Sequence, residues 1–282
     1  MEIKRFDLLD EWVYFKIFCS PSFSNKFLIS YLNVILIEFK SIGLISEFFF
    51  IRYNSPDYHL RIRFKVLKNR EKIIFLALEN IQELIKNENI WDVSLNTYYR
   101  EIERYGIDYI VSSENIFCIE SELILYFFSG ENFNGNEEEK LILFLVLSEF
   151  YFDLFSIELL KKNKMVGSYS QMLKENQEFD SSINKILYSK YRNLRESITQ
   201  NLSLENRESN KYWQLIEKYK NRYELVISQY NEVEKSKFNI FSIIHMSSNR
   251  IFETHANLYE LIGLDFLNIY YKEKIYRIKN SK

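Results

Sequence analysis

The stretch FFFIRYNSPDYHLRIRF, Phe48–Phe64, predicts two β-strands joined by a tight turn. Aromatic and β-branched residues dominate both halves, which is typical of a buried sheet, and NSPD places Pro56 inside a turn. Four side chains of this strand pair can carry positive charge: Arg52, His59, Arg61 and Arg63. Because burying an unpaired guanidinium costs several kcal/mol, these cations call for an explanation.

One face of the second strand, HLRIRF, is predicted to be cationic. Side chains alternate between the two faces of a strand, so His59, Arg61 and Arg63 point one way and the intervening apolar residues the other. Arg52, on the first strand, is placed to join them. Such cations repel one another unless an anion or acidic side chains lie among them. The alternative is an ordinary solvent-exposed face of an antiparallel sheet.

The flanking sequence extends this strand pair to a βαββαβ order, a split βαβ sandwich with helices on one face of the sheet. Its predicted segments are a strand at Trp12–Cys19, a helix at Asn25–Gly43, the strand pair above, a helix at Arg70–Asn89 and a strand starting at Trp91.

The chain after Gly106 changes to long helical patterns. We therefore predict one α+β domain over residues 1–282, with a soft division into a sheet-containing half (1–110) and a helical half (111–282). The apolar run Leu141–Phe155 is interrupted by charged residues and predicts a buried helix rather than a membrane span.

Composition narrows the class of protein. The 282 residues are 47% hydrophobic and 17% aromatic, which is enough for a packed core, and the net charge of −2 argues against a general nucleic-acid binder. Cys19 and Cys118 form neither a disulfide framework nor a metal motif, so no metal or cofactor is expected. The start, MEIKRFDLLDEW, lacks a secretory signal, which predicts a cytoplasmic protein without membrane attachment.

A second cationic cluster lies in NTYYREIERYG, Asn96–Gly106. Arg100 and Arg104 would share a face in either a strand or a helix, and Glu101 or Glu103 is placed to hold an arginine in position. A carboxylate-binding site and a structural ion-pair network are both compatible with this stretch.

A third candidate lies in SIIHMSSNRIFE, Ser242–Glu253. On a helix His245 and Asn249 share a face, with Arg250 beside it. An imidazole transfers protons near neutral pH, and a neighbouring amide or guanidinium can set its tautomer or bind an anion. The alternative is a structural histidine. Phosphate-binding glycine loops, a GxSxG elbow and an HExxH motif are missing from the sequence, so nucleotide and zinc chemistry lose support.

Four stretches, taken in order, resemble the small domain of lantibiotic dehydratases and its stand-alone relatives, the thiopeptide-type bacteriocin biosynthesis proteins. They are WVYFKIF, FFFIRYNSPDYHLRIRF, TYYREIERYG and HMSSNR. The family forms of the last three are FFIRY-x-DP-xx-H-x-RxRF, TY-x-REIERYGG and HM-xx-NR, and the resemblance covers nearly the whole chain. The departures are Ser55 in place of Asp, Ile107 in place of the second Gly, and Glu253 where Gly is common.

The resemblance implies an activity. In full-length dehydratases a larger domain transfers glutamate from glutamyl-tRNA onto Ser or Thr of a precursor peptide, and the small domain expels it to leave dehydroalanine or dehydrobutyrine. We therefore expect a lyase that acts on a leader-bearing precursor peptide together with a separate glutamyl-tRNA-dependent protein. Direct nucleic-acid binding is not expected, and a homodimer is left open.

The resemblance also implies site residues. The essential arginine of the RxR strand falls on Arg61 or Arg63, the second on Arg100 in preference to Arg104, and the catalytic histidine on His245. We expect Arg63, Arg100 and His245 to be catalytic, with the direction of proton transfer by His245 left open. Substrate binding is expected from the surrounding residues, namely Arg52, His59, Arg61, Arg104, Asn249 and Arg250.

Two other functions stay open at this point. Pyridine synthases of the same fold join two dehydroalanines in a formal [4+2] cycloaddition and release the leader peptide. A non-catalytic subunit that only presents the precursor peptide is the third hypothesis.

Overall fold

A computed structural model describes residues 4–7, 10–179 and 182–280. The chain divides into two compact units. Unit 1 comprises the chain up to Asn134 together with Asn249–Thr254, and unit 2 comprises Gly135–Ser248 together with the chain from His255 onward. The expectation that residues 1–282 form a single domain stays a prediction.

Unit 1 contains the sheet. Its elements, in chain order, are β1 (Arg5–Phe6), β2 (Trp12–Cys19), α1 (Pro21–Phe27), a π-helical turn (Leu28–Leu32), α2 (Asn33–Ser41), β3 (Ile45–Asn54), β4 (Tyr58–Val66), α3 (Arg70–Lys86), β5 (Ile90–Asn96), β6 (Tyr98–Tyr99), α4 (Ile102–Tyr105) and α5 (Ile110–Ser129). Strands β2 to β5 form an antiparallel sheet in the order β3-β4-β2-β5, and β1 pairs with β6 separately. The predicted α+β class and βαββαβ order are confirmed.

Local sequence explains where the first helices begin and end. Ser20 caps α1 by accepting a hydrogen bond from the Phe23 amide at 3.2 Å, and Pro21 occupies the first helical position, where its missing N–H costs nothing. After α2 the backbone enters the left-handed region at Gly43 (φ 65°), the conformation that glycine adopts most readily at a helix end.

The sheet has two different faces. The apolar residues of β4 lie against the helices, as the edge-to-face contact of Phe64 with Phe39 of α2 shows at 5.5 Å. Burying each such side chain stabilises the fold by about 1.5–3 kcal/mol. The opposite face is called the arginine face here, and it carries four cross-strand pairs of β2 with β4: Trp12 with Lys65, Tyr14 with Arg63, Lys16 with Arg61, and Phe18 with His59.

Unit 2 is helical in its described part. Its helices are α6 (Glu137–Leu154), α7 (Leu159–Asn176), α8 (Ser182–Leu202), α9 (Lys211–Ser228), α10 (Glu232–Lys235), α11 (Ile240–Ile251, whose end belongs to unit 1) and α12 (Ala256–Asn280). Every residue from 140 to 152 in α6 is buried, which confirms the predicted buried helix. None of the helices in the described part of the chain has the length and apolar character needed to cross a membrane.

Candidate functional site

Arg63 lies in a cage of aromatic rings on the arginine face. Its guanidinium carbon is 4.2 Å from the ring centre of Tyr14, 4.5 Å from that of Tyr98 and 4.9 Å from that of Phe49. Its Nε and Nη1 atoms are buried and have no hydrogen-bond acceptor among the described residues. Burial lowers the pKa of Arg63, yet a guanidinium stays charged in proteins. The cage therefore holds a cation whose Nε and Nη1 donors have no acceptor among the described residues.

The alternative of a solvent-exposed face is wrong for two of its residues. Arg63 is 6% exposed and His59 is 1% exposed. Aromatic rings cover both: the three rings of the cage cover Arg63, and Phe18 lies 4.7 Å from the His59 ring. A simple alternation of strand residues predicts which side chains share a face but not whether that face is covered.

His59 orients Arg61. The Nε atom of Arg61 donates to Nε2 of His59 at 3.1 Å, and its guanidinium lies 3.4 Å from the ring centre of Tyr53. Accepting this bond requires a neutral imidazole with its proton on Nδ1, which lies 2.8 Å from the Asp57 carbonyl oxygen and donates to it. Burial lowers the pKa of His59, and the charge of Arg61 adds to that shift.

Arg52 lies on the helix-covered face of the sheet, so the expectation that it joins the other arginines is wrong. In the register of β3 with β4, Arg52 is opposite Leu60, one residue out of step with Arg61. Arg52 connects β3 by hydrogen bonds to other segments of unit 1. Its Nε donates to the Arg250 carbonyl at 2.9 Å, Nη1 to the Ser24 hydroxyl, and Nη2 to Oδ1 of Asn25 at 2.6 Å.

Arg100 is held by Glu114 of α5 rather than by the glutamates beside it in sequence. Nε of Arg100 donates to Oε1 of Glu114 at 2.8 Å, and Nη2 donates to Oε2 at 2.6 Å. The Tyr98 hydroxyl donates to the same carboxylate at 2.7 Å. Because Tyr98 is also a wall of the Arg63 cage, the buried Arg100–Glu114 pair fixes one side of that cage.

Arg104 is separate from Arg100. Strand β6 ends at Tyr99 and helix α4 begins at Ile102, so no single strand or helix holds both arginines, as the predicted shared face requires. Arg104 is one-third exposed and lies 3.4 Å from a Glu101 carboxylate oxygen. Exposed pairs of this kind contribute about 0–1 kcal/mol.

Arg250 is fully buried, in the part of α11 that belongs to unit 1. Its Nη1 donates to Oε2 of Glu120 at 2.9 Å, and its Nε donates to the Phe50 carbonyl at 3.0 Å. These contacts give Arg250 a packing role. Asn249 is half-buried on the same helix, and its part in substrate binding stays a prediction.

His245 and Glu260 form a dyad in unit 2. Nδ1 of His245 lies 2.7 Å from Oε2 of Glu260, whose side chain is 1% exposed. The Tyr169 hydroxyl approaches the other carboxylate oxygen at 3.5 Å. A buried carboxylate that accepts from Nδ1–H fixes the tautomer in which Nε2 accepts a proton, as general bases require. The sequence prediction named Asn249 or Arg250 for this tautomer-setting role, and the structure shows Glu260 in it.

The described residues offer no obvious place for a metal ion, since nowhere in the ranges 4–7, 10–179 and 182–280 do three His, Cys, Asp or Glu side chains gather. A cavity of about 700 Å³ in unit 2 is lined by Arg207, Trp213 and acidic residues including Asp153 and Glu224, and it contains none of the predicted site residues.

Lys16, Glu114 and Glu260 are not among the site residues predicted from the sequence. A usable signal existed for each of them. Lys16 alternates with aromatic residues in WVYFKIF, and each glutamate lies at helical spacing within a buried stripe of its helix. An ionisable residue on a buried stripe calls for a partner.

The fold places the chain in a known structural class. It is similar to the tRNA-dependent lantibiotic dehydratase MibB of Microbispora sp. 107891, with a TM-score of 0.67 and 15% identity over 95% of this chain and 28% of that chain. It is also similar to the pyridine synthase TbtD of thiomuracin biosynthesis, with a TM-score of 0.65 and 12% identity over 95% of this chain and all of that one.

The chain belongs to the lantibiotic biosynthesis dehydratase C-terminal family, whose sequence model matches residues 12–271. The resemblance drawn from the motifs is thereby confirmed. Nisin biosynthesis protein NisB of Lactococcus lactis subsp. lactis is 27% identical over 94% of this chain, and epidermin biosynthesis protein EpiB of Staphylococcus epidermidis is 24% identical over 88%. The chain spans 26% of the length of NisB and 25% of that of EpiB.

Proposed function

We propose that the chain removes glutamate from glutamylated Ser or Thr residues of a precursor peptide. A base takes the Cα proton, and the electron pair of the C–H bond forms the Cα–Cβ double bond. The Cβ–O bond breaks with its electron pair on the departing glutamate carboxylate, leaving dehydroalanine or dehydrobutyrine. Negative charge develops on the enolate and on the leaving group, so preorganised donors in a dry site lower the barrier. The family assignment supports this reaction class.

The observation that carries the proposal is the state of Arg63. Its guanidinium is enclosed by three rings, and its Nε and Nη1 have no acceptor among the described residues. Cation–π contacts offset part of the desolvation cost, by about 2 kcal/mol for a desolvated cation, but they leave the N–H donors available. A developing carboxylate accepts charge-assisted hydrogen bonds from guanidinium N–H groups. We therefore assign to Arg63 the binding of the leaving carboxylate.

Arg100 was expected to be catalytic, and its contacts support a positioning role. Its guanidinium is engaged by Glu114, and the same carboxylate accepts the Tyr98 hydroxyl. We propose that Arg100 holds Glu114, which in turn holds Tyr98 against Arg63. Loss of Arg100 then weakens elimination by loosening the cage rather than by removing a substrate contact.

We assign proton transfer to His245. Its bond to Glu260 stabilises the imidazolium that forms when Nε2 accepts a proton. A positioned general base or acid contributes roughly 10²–10⁴-fold to a rate. The direction of transfer stays open between a base at Cα and an acid to the leaving group.

The proposed partners follow from the reaction. A leader-bearing precursor peptide is the substrate, and a separate protein supplies the glutamyl group from glutamyl-tRNA. We place both steps in the cytoplasm, where charged tRNA is available.

The test is to incubate the chain with a glutamylated precursor peptide and to follow the mass of the peptide. Wild type is expected to release glutamate, and Arg63→Gln is expected to lower the rate at least about 100-fold. Lys65→Gln is the matched control, because Lys65 extends from the same sheet face but pairs with Glu47 at 3.4 Å. Equal rates for Arg63→Gln and wild type would contradict the proposal.

A second candidate, pyridine formation, is supported by the similarity in fold to TbtD. Incubation with a fully dehydrated peptide separates the two activities. Cycloaddition replaces elimination as the proposed activity if that peptide yields a macrocycle with release of the leader and the glutamylated peptide releases no glutamate. The third candidate, a non-catalytic peptide-binding subunit, predicts that Arg63→Ala and His245→Ala leave product formation intact.

A further inference from the structure

Lys16 is a further cation of the arginine face. It lies directly opposite Arg61 in the register of β2 with β4, and opposite Ser94 of β5 on its other side. Directly opposed residues of antiparallel strands have Cβ atoms about 4.5–5.5 Å apart. Two positive side chains therefore leave the sheet side by side.

Nothing in the described part of unit 1 neutralises this pair. Neither Lys16 nor Arg61 forms an ion pair with a described acidic side chain, whereas Lys65 on the same face pairs with Glu47. Asp92 faces the same side of β5 opposite Phe18, and it is exposed and unbonded to Lys16. Burial, followed by the charges of Arg61 and Arg63, lowers the pKa of Lys16. Like charges in direct opposition destabilise a sheet, so this pair is kept at a cost in stability.

The cations of this face differ in burial. Arg63 is almost fully enclosed, whereas Lys16 and Arg61 are half-buried. A glutamyl ester formed through the α-carboxyl group presents two acidic groups at different stages. Its side-chain carboxylate is charged before reaction, and its ester carboxyl becomes charged only as the Cβ–O bond breaks. A half-buried site that keeps some water suits the side-chain carboxylate, which is charged throughout. A dry site suits the ester carboxyl group, whose charge develops during the reaction.

We propose that Lys16 and Arg61 together bind the side-chain carboxylate of the glutamyl group and so select glutamyl esters over uncharged acyl esters. This inference rests on the proposed function and leaves Arg63 for the carboxylate released by the reaction. Lys16 contributes a compact charge with three donors, while Arg61 is held in place by His59 and Tyr53.

The test compares two peptides, one carrying a glutamyl ester and the other a glutaminyl ester whose side-chain amide is neutral. Lys16→Gln removes charge-assisted hydrogen bonds to the side-chain carboxylate, so it is expected to raise KM for the glutamyl peptide about 10- to 100-fold with kcat retained. KM for the glutaminyl peptide is expected to change less than about twofold. Lys16→Arg keeps the charge and is expected to retain most of the preference, and Lys65→Gln is expected to behave as wild type. Equal effects of Lys16→Gln on both peptides, or none on either, overturn the inference.

Calorimetric binding of free L-glutamate and L-glutamine separates this inference from the proposed function. Lys16-dependent binding of L-glutamate by a protein that releases no glutamate from peptide overturns elimination and supports the site. Normal turnover by Lys16→Gln overturns the site and supports elimination. Absence of both turnover and L-glutamate binding in wild type overturns both proposals. Urea unfolding of each variant confirms that it is folded.

Discussion

His59 and Arg61 form one electrostatic pair at the residue scale. His59 accepts from Arg61 through Nε2 while Nδ1–H donates to the Asp57 carbonyl, so a second proton on the imidazole would place an N–H against the Arg61 donor. The nearby charges of Arg61 and Lys16 also oppose that proton. His59 therefore sets the pH range in which Arg61 is correctly held.

The pH dependence of stability tests this pair. Burial lowers the folded-state pKa of His59, so the unfolded state binds the proton more readily. The contribution of neutral His59 to the free energy of unfolding is present above the unfolded-state pKa of about 6.5 and is lost as pH falls from there toward the folded-state pKa. Urea unfolding between about pH 8 and pH 5 is expected to show a steeper loss of the free energy of unfolding for wild type than for His59→Gln. Parallel curves for the two proteins would contradict the assignment.

At the element scale, α6 and α12 of unit 2 approach each other at Gly263. A methyl group at this position would overlap the fully buried ring of Phe144, which is enclosed by the core of the unit. Glycine costs about 1 kcal/mol relative to alanine in a helix interior, so its presence in α12 is explained by this close approach.

Gly263→Ala is expected to destabilise the protein despite its better helix propensity. Overpacking of a core costs typically 1–3 kcal/mol, which exceeds the gain of about 1 kcal/mol from propensity. Ser189→Ala, on an exposed position of α8, is the control and is expected to change stability by less than about 0.5 kcal/mol. Chemical denaturation measures both changes, and a more stable Gly263→Ala protein would show that the helices can separate at little cost.

At the scale of the whole molecule, unit 1 keeps two kinds of buried arginine. Arg100 and Arg250 bind buried carboxylates and Arg52 donates to neutral oxygen acceptors, whereas the Nε and Nη1 donors of Arg63 face aromatic rings and have no acceptor among the described residues. A protein selected for stability alone would not keep a buried guanidinium with two donors that lack acceptors. This difference in hydrogen bonding distinguishes the arginines that stabilise the fold from Arg63, which we assign to the proposed site.

This contrast predicts opposite effects of the same substitution. Arg63→Met replaces an uncompensated buried charge by an apolar side chain, so the free energy of unfolding is expected to rise by about 1–4 kcal/mol while glutamate release is lost. Arg100→Met leaves Glu114 buried without its cation and is expected to cost about 3–5 kcal/mol. Urea unfolding at about pH 7 compares the free energies of unfolding of the two variants and wild type. Destabilisation of similar size in both variants would mean that Arg63 is structural.

The sequence by itself determined the order of strands and helices, the family, and the residue types of the site. These follow from local periodicity and from short motifs, because alternation along one strand depends only on that strand. His245 and the arginines of β4 were found in this way, and their roles stay predictions.

The tertiary structure decided which charges are paired and which face of the sheet each one occupies. A loop of three residues pairs Asn54 with Tyr58, and that register turns Arg52 away from Arg61. Glu114, near the start of α5, binds Arg100, which precedes α4, and no local pattern fixes such a contact. The physical reason is that register and the partner of a buried charge are set by packing between distant segments, which the periodicity of a single segment does not encode.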